Sequence, residues 1–209
     1  MKDQKEVWNS IAEQWYHFRQ KPFPDVQKWL EILIKRWKKG KILEIGCGNC
    51  RNLLIFTKND FDCYGIDFSD EMLKNAKQYC KKYNFKVKLK KAIAEKLPFK
   101  NESFDYVLYI GVLHHLSTEE KRIKSLKEIR RILKDGGEVY VTVWNKLIPR
   151  FIFKSKNYYV PWHIKSKTYL RYYYLFNYFE LKNLIKSSGF RIIRSYGIFG
   201  KNLIFLVKK

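Results

Sequence analysis

An apolar stretch that runs straight into a glycine turn leaves a chain few folds to choose from. Ile42-Leu43-Glu44-Ile45-Gly46-Cys47-Gly48-Asn49 reads as a buried strand entering a turn that opens a helix. A second apolar strand, Tyr64-Gly65-Ile66-Asp67, ends on one carboxylate just before Phe68-Ser69. Asp67 stands about twenty residues past the turn, the spacing at which an acid meets the hydroxyls of a ribose. Strand, glycine turn, helix, strand and terminal acid describe a parallel α/β sheet that holds a nucleoside-bearing cofactor at the carboxyl ends of its strands. The turn is Glu-x-Gly-x-Gly and not Gly-x-Gly-x-x-Gly, the form that suits a diphosphate dinucleotide on a helix N-terminus.

The rest of the chain alternates as a doubly wound sheet requires. Val7, Trp8, Ile11, Ala12, Trp15 and Tyr16 recur at helical spacing and predict a helix over 3–18. Pro22 and Pro24 break it, and a second helix is expected from an Asp25 N-cap to Lys38. Strands follow at 41–46, 62–67, 85–90, 104–110 and 138–144, with helices at 50–58, 69–82 and 119–131. Asp135-Gly136-Gly137 turns the chain into the strand at 138–144. A helix near 179–187 leads to strands 190–196 and 202–207, read as a closing antiparallel hairpin. The 209 residues suffice for one such domain with a full core. The expected division is a helical cap over 1–40, a cofactor-binding core over 41–145, an insert over 146–179 and a C-terminal helix and hairpin over 180–209.

Charge narrows the partners. Lys and Arg number 43 against 20 Asp and Glu, a net charge of +23. A polyanion is the simplest physical account, and nucleic acid fits better than a membrane because no basic amphipathic helix stands out. No apolar run reaches the length of a membrane span and Met1-Lys2-Asp3 leads into no signal-peptide core, so the protein is expected to be cytoplasmic. Cys47-x-x-Cys50 has metal or redox spacing, yet no second pair completes a zinc site. These cysteines are read as small turn residues, and no metal is expected. Lys86, Lys88 and Lys90 alternate with Val87 and Leu89, giving one basic face that serves either as edge-strand protection or as phosphate contact. The insert carries seven Lys or Arg, no acid and a crowd of aromatics, and from Val139 onward Glu180 is the only acid. Basic residues interleaved with aromatics neutralise phosphates and stack unpaired bases.

Glu44-x-Gly46-x-Gly48, with Asp67 and Ser69 in register, resembles the first motifs of Rossmann-like S-adenosylmethionine-dependent methyltransferases. Among acceptors, cytosine C5 requires a cysteine nucleophile after the fourth or fifth strand, and residues 110–120 and 144–165 have none. An adenine amine is usually served by an Asn/Asp-Pro-Pro-aromatic turn, replaced here by Gly111-Val-Leu-His-His-Leu116. That stretch is similar to the corresponding segment of tRNA wobble-uridine methyltransferases, which esterify 5-carboxymethyluridine and occur also as one half of AlkB-type tRNA hydroxylases. Val7-Trp8-Asn9-x-Ile11-Ala12, His17-Phe18-Arg19, Lys21-Pro22-Phe23-Pro24, Val160-Pro161-Trp162 and Arg171-Tyr172-Tyr173-Tyr174-Leu175-Phe176 are likewise similar to that family.

The resemblance implies a class I α/β fold, with a seven-stranded, mostly parallel sheet and helices on both faces. It implies S-adenosylmethionine as cofactor, contacted by Glu44, Gly46, Gly48, Asn49, Asp67, Phe68, Ser69, Ala94, Glu95 and Ile110. Where an acid usually precedes Ala-x-x-Leu-Pro to bind adenine, Ile93 stands, leaving the backbone of Ala94 or the side chain of Glu95 for that task. A carboxylate acceptor is already ionised at neutral pH, so the site needs orientation, exclusion of water and a cation. Arg19, His17, His114, His115 and Arg171 are the candidates. Arg19 has a rival role on the methionine carboxylate of the cofactor, His114 can equally be a capping or core residue, and Arg171 can equally contact phosphate. Trp144, Trp162, Lys165, Lys167, Arg171, Tyr172 and Tyr173 are the expected substrate and RNA contacts, although Trp144 can equally be core. The implied partners are tRNA and a small zinc-containing activator subunit on the edge strand; apart from these a monomer is expected. The alternatives are a methyltransferase of a small quinone or lipid precursor, and an RNA-binding module with a vestigial cofactor site.

Overall fold

The computed structural model describes residues 3–209. Helix α1 (Gln4–Phe18) starts at Asp3, whose carboxylate accepts from the Lys5 amide. Helix α2 (Pro24–Arg36) begins one residue before the expected Asp25 cap. Proline suits the first helical turn because its missing N–H would have no partner there, and Asp25 accepts instead from Asn202 Nδ2 at 2.6 Å. The helix stops two residues early because Trp37 turns extended. Its indole N–H donates to Glu138 at 2.7 Å, beside a two-pronged Arg36–Glu138 pair at 2.6 and 2.8 Å.

Strand β1 (Lys41–Ile45), β2 (Asp62–Asp67), β3 (Lys88–Lys91), β4 (Phe104–Ile110) and β5 (Leu133–Trp144) pair in parallel in the order β3-β2-β1-β4-β5. Strand β9 (Asn202–Lys208) runs antiparallel between β5 and β8 (Arg191–Tyr196), completing seven strands with the expected hairpin. Side chains alternate across the sheet. Leu43, Ile45, Val107, Val139, Val141 and Val143 pack on α5 (Glu119–Ile132) and α6 (Tyr178–Ser187). Ile42, Leu108, Tyr140, Ile204 and Leu206 pack on the opposite face with α2, α3 (Leu54–Thr57) and α4 (Asp70–Lys82). This period-two burial is the signature of a sheet covered on both sides.

Besides the ends of α2, three boundaries differ by several residues from the sequence-based expectation. The helix expected over 50–58 is reduced to α3, because Cys50 takes a φ of +63° and prolongs the turn. Strand β3 starts at Lys88, not 85, because the Phe85 amide closes the end of α4 on the Cys80 carbonyl at 3.0 Å. Strand β5 starts at Leu133, with residues 134–137 looped out: Phe104 pairs with Leu133 and Tyr106 with Glu138. Strand β3 forms one edge of the sheet, with Lys88, Lys90 and Lys91 exposed.

The insert, which fits no standard element of the fold, forms an antiparallel hairpin of β6 (Asn157–Ile164) and β7 (Lys167–Tyr174). It folds onto α1: Gln4 bonds the Leu170 carbonyl at 3.2 Å and the Tyr172 amide at 2.9 Å, and Trp162 Nε1 donates to Gln14. Helix α1 and the hairpin together roof the carboxyl ends of β1, β2 and β4. No described helix is long and apolar enough to cross a membrane.

Candidate active site

A cavity of about 1830 Å³ opens under that roof. Ligand sites usually span roughly 300–1,000 Å³, so there is room for a cofactor and an acceptor together. At its floor Gly46 and Gly48 adopt φ of +65° and +53°, which glycine tolerates best. A Cβ on Gly46 would come 2.4 Å from Val112 Cγ2, while one on Gly48 would meet only Trp15 Nε1, at 4.0 Å. Asp67 is buried and accepts from the Gly48 and Ser69 amides, both at 3.0 Å, one on each oxygen. Burial pushes its pKa up to about 6, against the opposing pull of those amides. Burial likewise pushes Glu44 up to about 8, offset by a 2.6 Å bond from Asn52 Nδ2. Its other oxygen is buried without a partner. An orphaned acid, an open glycine bend and a buried acid at the tip of β2 fit an adenosyl cofactor. Phe68, Ala94, Glu95 and Ile110 line the same end, and Ile93 sits half-exposed at its edge.

Two expected cofactor contacts lie just outside the cavity. Ser69 caps α4 through the Met72 amide and donates to Asn9 of α1 at 2.7 Å. Asn49 is fully buried, donates to the Arg19 carbonyl at 2.8 Å and accepts from Arg51 Nη1 at 3.3 Å. Both tie the roof to the floor.

Cations face the cavity from several elements. Arg19 packs 5.1 Å from the Trp15 ring and 5.0 Å from Phe23. Arg171 is buried, packs 4.8 Å from the Trp162 ring and bonds Tyr173 Oη at 3.1 Å. Burial lowers its pKa, and Arg19 and Arg150 add like charge. The Nε atoms of Arg19, Arg51 and Arg171 are all buried without partners. Among the described residues no carboxylate pairs with these three or with Arg150. Buried cations are ordinarily paired; of the four only Arg171 is buried, and it has no carboxylate partner.

His114 and His115 are neutral. The Trp144 amide donates to His114 Nδ1 at 3.0 Å, which leaves the ring proton on Nε2. Burial beside His115 and Arg171 holds the His114 pKa well below its ordinary value, so it enters as a neutral hydrogen-bonding group and not as the expected cation. His115 Nδ1 donates to the Tyr172 carbonyl at 2.8 Å, and burial lowers its pKa to about 4. Tyr173 and Trp144 stack with centroids 4.1 Å apart at 7°, and Phe151 continues the stack at 5.3 Å. His17 lies exposed on the last turn of α1, and Lys165 and Lys167 flank the exposed hairpin tip; none of the three lines the cavity. Tyr172 is buried against Ser117 and Asn157, outside it. Sequence alone does not mark Arg51 and Arg150, since neither sits in a recognised motif or on a periodic face. Trp8 and Trp15, seven residues apart on α1, carried a signal that helical periodicity absorbed.

A family profile described as a methyltransferase domain matches residues 43–141. A putative methyltransferase of Encephalitozoon cuniculi is 32% identical over 176 residues, covering 80% of this chain and 78% of that protein. The chain belongs to the class I S-adenosylmethionine-dependent methyltransferases. The tRNA (carboxymethyluridine(34)-5-O)-methyltransferase of Saccharomyces cerevisiae is 34% identical over 139 residues, which is 66% of this methyltransferase but 46% of the yeast protein. The 1,6-didemethyltoxoflavin-N1-methyltransferase of Burkholderia thailandensis, solved with bound S-adenosylhomocysteine, superposes on this methyltransferase with a TM-score of 0.74. It is 17% identical, over 100% of this chain and 91% of that one.

Proposed function

We propose that this methyltransferase esterifies a carboxylate carried by an RNA base, the 5-carboxymethyl group of the wobble uridine of tRNA. Arg171 carries the proposal: a buried guanidinium without a carboxylate partner, beside the Trp144–Tyr173 stack. A planar ring with an anionic arm suits that pairing of stacked wall and cation. The likeness to the yeast wobble-uridine enzyme points the same way.

When bound, S-adenosylmethionine supplies a methyl group on a sulfonium, and its transfer to a carboxylate oxygen yields an ester and a thioether with no proton to remove. Asp67 and the Gly46–Gly48 bend would hold the adenosyl moiety, and Arg19 and Arg51, the latter near Glu44, its methionine carboxylate. Arg171 orients the acceptor carboxylate. It does so without a general base, since a carboxyl group near pKa 4 is ionised at pH 7. The neutral His114 and His115 add no charge that would hold the attacking oxygen and slow its reaction. The indoles of Trp8, Trp15 and Trp162 in the roof exclude water.

Incubation of the purified protein with S-adenosylmethionine and tRNA bearing 5-carboxymethyluridine, followed by nucleoside mass spectrometry, tests this. The methyl ester is expected at the wobble position, and tRNA from cells lacking the protein accumulates the free acid. No ester with that tRNA, in a preparation that binds S-adenosylhomocysteine, overturns the substrate.

A further inference from the structure

Phe153 and Phe199 each leave 96% of their surface exposed, more than any other large apolar side chain described. Each stands on a loop that lines the cavity. The first loop, residues 145–156, leaves the end of β5; the second, residues 197–201, joins β8 to β9.

Asn145, fully buried, ties the loops together. Its Nδ2 donates to the carbonyls of Gly197, Ile198 and Gly200 at 3.0, 2.9 and 2.9 Å, and its amide donates to the Lys201 carbonyl at 3.1 Å. Its Oδ1 accepts from the Leu147 amide at 3.0 Å. Lys146 then closes the first loop, with Nζ on the Ile152 and Lys154 carbonyls at 3.0 and 2.7 Å. Two phenylalanines are thus presented to water from tethered loops beside one opening. Such ordering in advance lowers the cost of binding.

Charge selects the partner. Arg150, Lys154 and Lys201 are exposed on these loops. Beyond Val139 the only acid is Glu180, paired with Lys156 at 3.2 Å. Asp25, which reaches the end of the second loop, is bonded to Asn202. Protruding aromatic faces among cations without acids match single-stranded nucleic acid, in which bases stack and phosphates are neutralised.

We propose that Phe153 and Phe199 form a clamp that stacks the unpaired nucleotides flanking the one that enters the cavity, with Arg150, Lys154 and Lys201 on their phosphates. The identity of the entering nucleotide rests on the function proposed above; the clamp itself is a statement about single-stranded RNA. It moves the RNA contact from the hairpin tip at Lys165 and Lys167 to the opening bordered by β5 and β9.

The test titrates an unmodified anticodon stem-loop oligoribonucleotide into wild-type protein and the Phe153→Ala/Phe199→Ala variant at several salt concentrations. Calorimetry with S-adenosylhomocysteine checks that the variant is folded. The expected result is at least a tenfold weaker RNA Kd for the variant, with unchanged salt slope and unchanged S-adenosylhomocysteine affinity. Phe153→Trp/Phe199→Trp restores RNA binding, and Arg150→Gln/Lys154→Gln/Lys201→Gln flattens the salt dependence. Undiminished RNA binding by the alanine variant overturns the clamp, as does absence of RNA binding by wild type. If wild type methylates carboxymethyluridine tRNA and the alanine variant binds RNA equally well, the clamp alone fails. If the alanine variant loses RNA binding but wild type forms no ester, the clamp stands and the proposed substrate fails.

Discussion

The guanidinium of Arg171 lies 4.8 Å from the centroid of the Trp162 ring, across the β6–β7 hairpin, and bonds Tyr173 Oη at 3.1 Å while its Nε has no partner. A buried charge without a carboxylate partner is a cost to the unliganded fold, and under the proposed function it is what orients the acceptor. Arg171→Met is therefore expected to leave thermal stability unchanged or raise it, since replacing a buried unpaired charge with an apolar side chain is often neutral or favourable. The same change is expected to lower kcat/KM roughly 10- to 100-fold, the worth of a charge-assisted hydrogen bond of about 1.5–3 kcal/mol, with S-adenosylhomocysteine affinity unaltered. Melting curves, steady-state kinetics and calorimetry together read this. A large fall in Tm with no change in kcat/KM would mean that Arg171 only props the hairpin.

Glu44 makes stability depend on pH in an unusual direction. Its folded-state pKa, about 8, exceeds its ordinary 4.5. The folded form holds the proton more tightly than the unfolded form, so stability contributed by the protonated acid is fully present below about pH 4.5 and is lost as pH rises toward 8. Glu44→Gln keeps the shape without the charge. It is expected to stabilise the cofactor-free protein by roughly 3 kcal/mol at pH 7, with the gain vanishing near pH 4. Asp67, at about 6, adds a loss of the same sign between pH 4 and 6. Denaturant titrations across pH 4–8 test both.

Gly46 and Gly48 separate strain from function. Gly46→Ala adds a left-handed penalty of about 1–2 kcal/mol and forces Val112 aside, because the new Cβ meets Val112 Cγ2 at 2.4 Å. Gly46→Ala/Val112→Ala should recover part of the lost stability. Gly48→Ala carries only the backbone penalty, yet its methyl projects into the cavity and should weaken S-adenosylhomocysteine binding. Unfolding free energies of the three variants, set beside their ligand affinities, check this division.

Glu138 is the anchor between α2 and the sheet. It accepts from Arg36 twice and from the Trp37 indole. Glu138→Ala strands the buried indole N–H and is expected to destabilise by about 2–3 kcal/mol, with kcat little changed because the site lies at the opposite ends of the strands. Urea denaturation measures the loss.

The strands expected over 41–46, 62–67 and 104–110 form within one residue of those bounds, because each is a short, mostly apolar run that reads as a strand from local pattern alone. The amphipathic spacing of Val7, Trp8, Ile11 and Ala12 marked α1 for the same reason. The boundaries that moved were set by longer-range choices. Asp25 gave up a helix cap for Asn202, 177 residues away. Residues 134–137 bulged to bring Glu138 opposite Tyr106.

The meeting of the glycine bend with Asp67 was legible because the two are close in sequence and their chemistry is local: Gly48 and Asp67 are 19 residues apart and joined by one hydrogen bond. The acceptor end was not legible to the same depth. Sequence named Arg171 and Trp144 but could not weigh surface against interior, and it gave Lys165 and Lys167 the same standing. Only the docking of the β6–β7 hairpin onto α1 buried Arg171, left its Nε without a partner and turned the two lysines outward. Burial is a property of what lies opposite, and part of what covers Arg171, the Trp15 ring of α1, comes from 156 positions earlier in the chain.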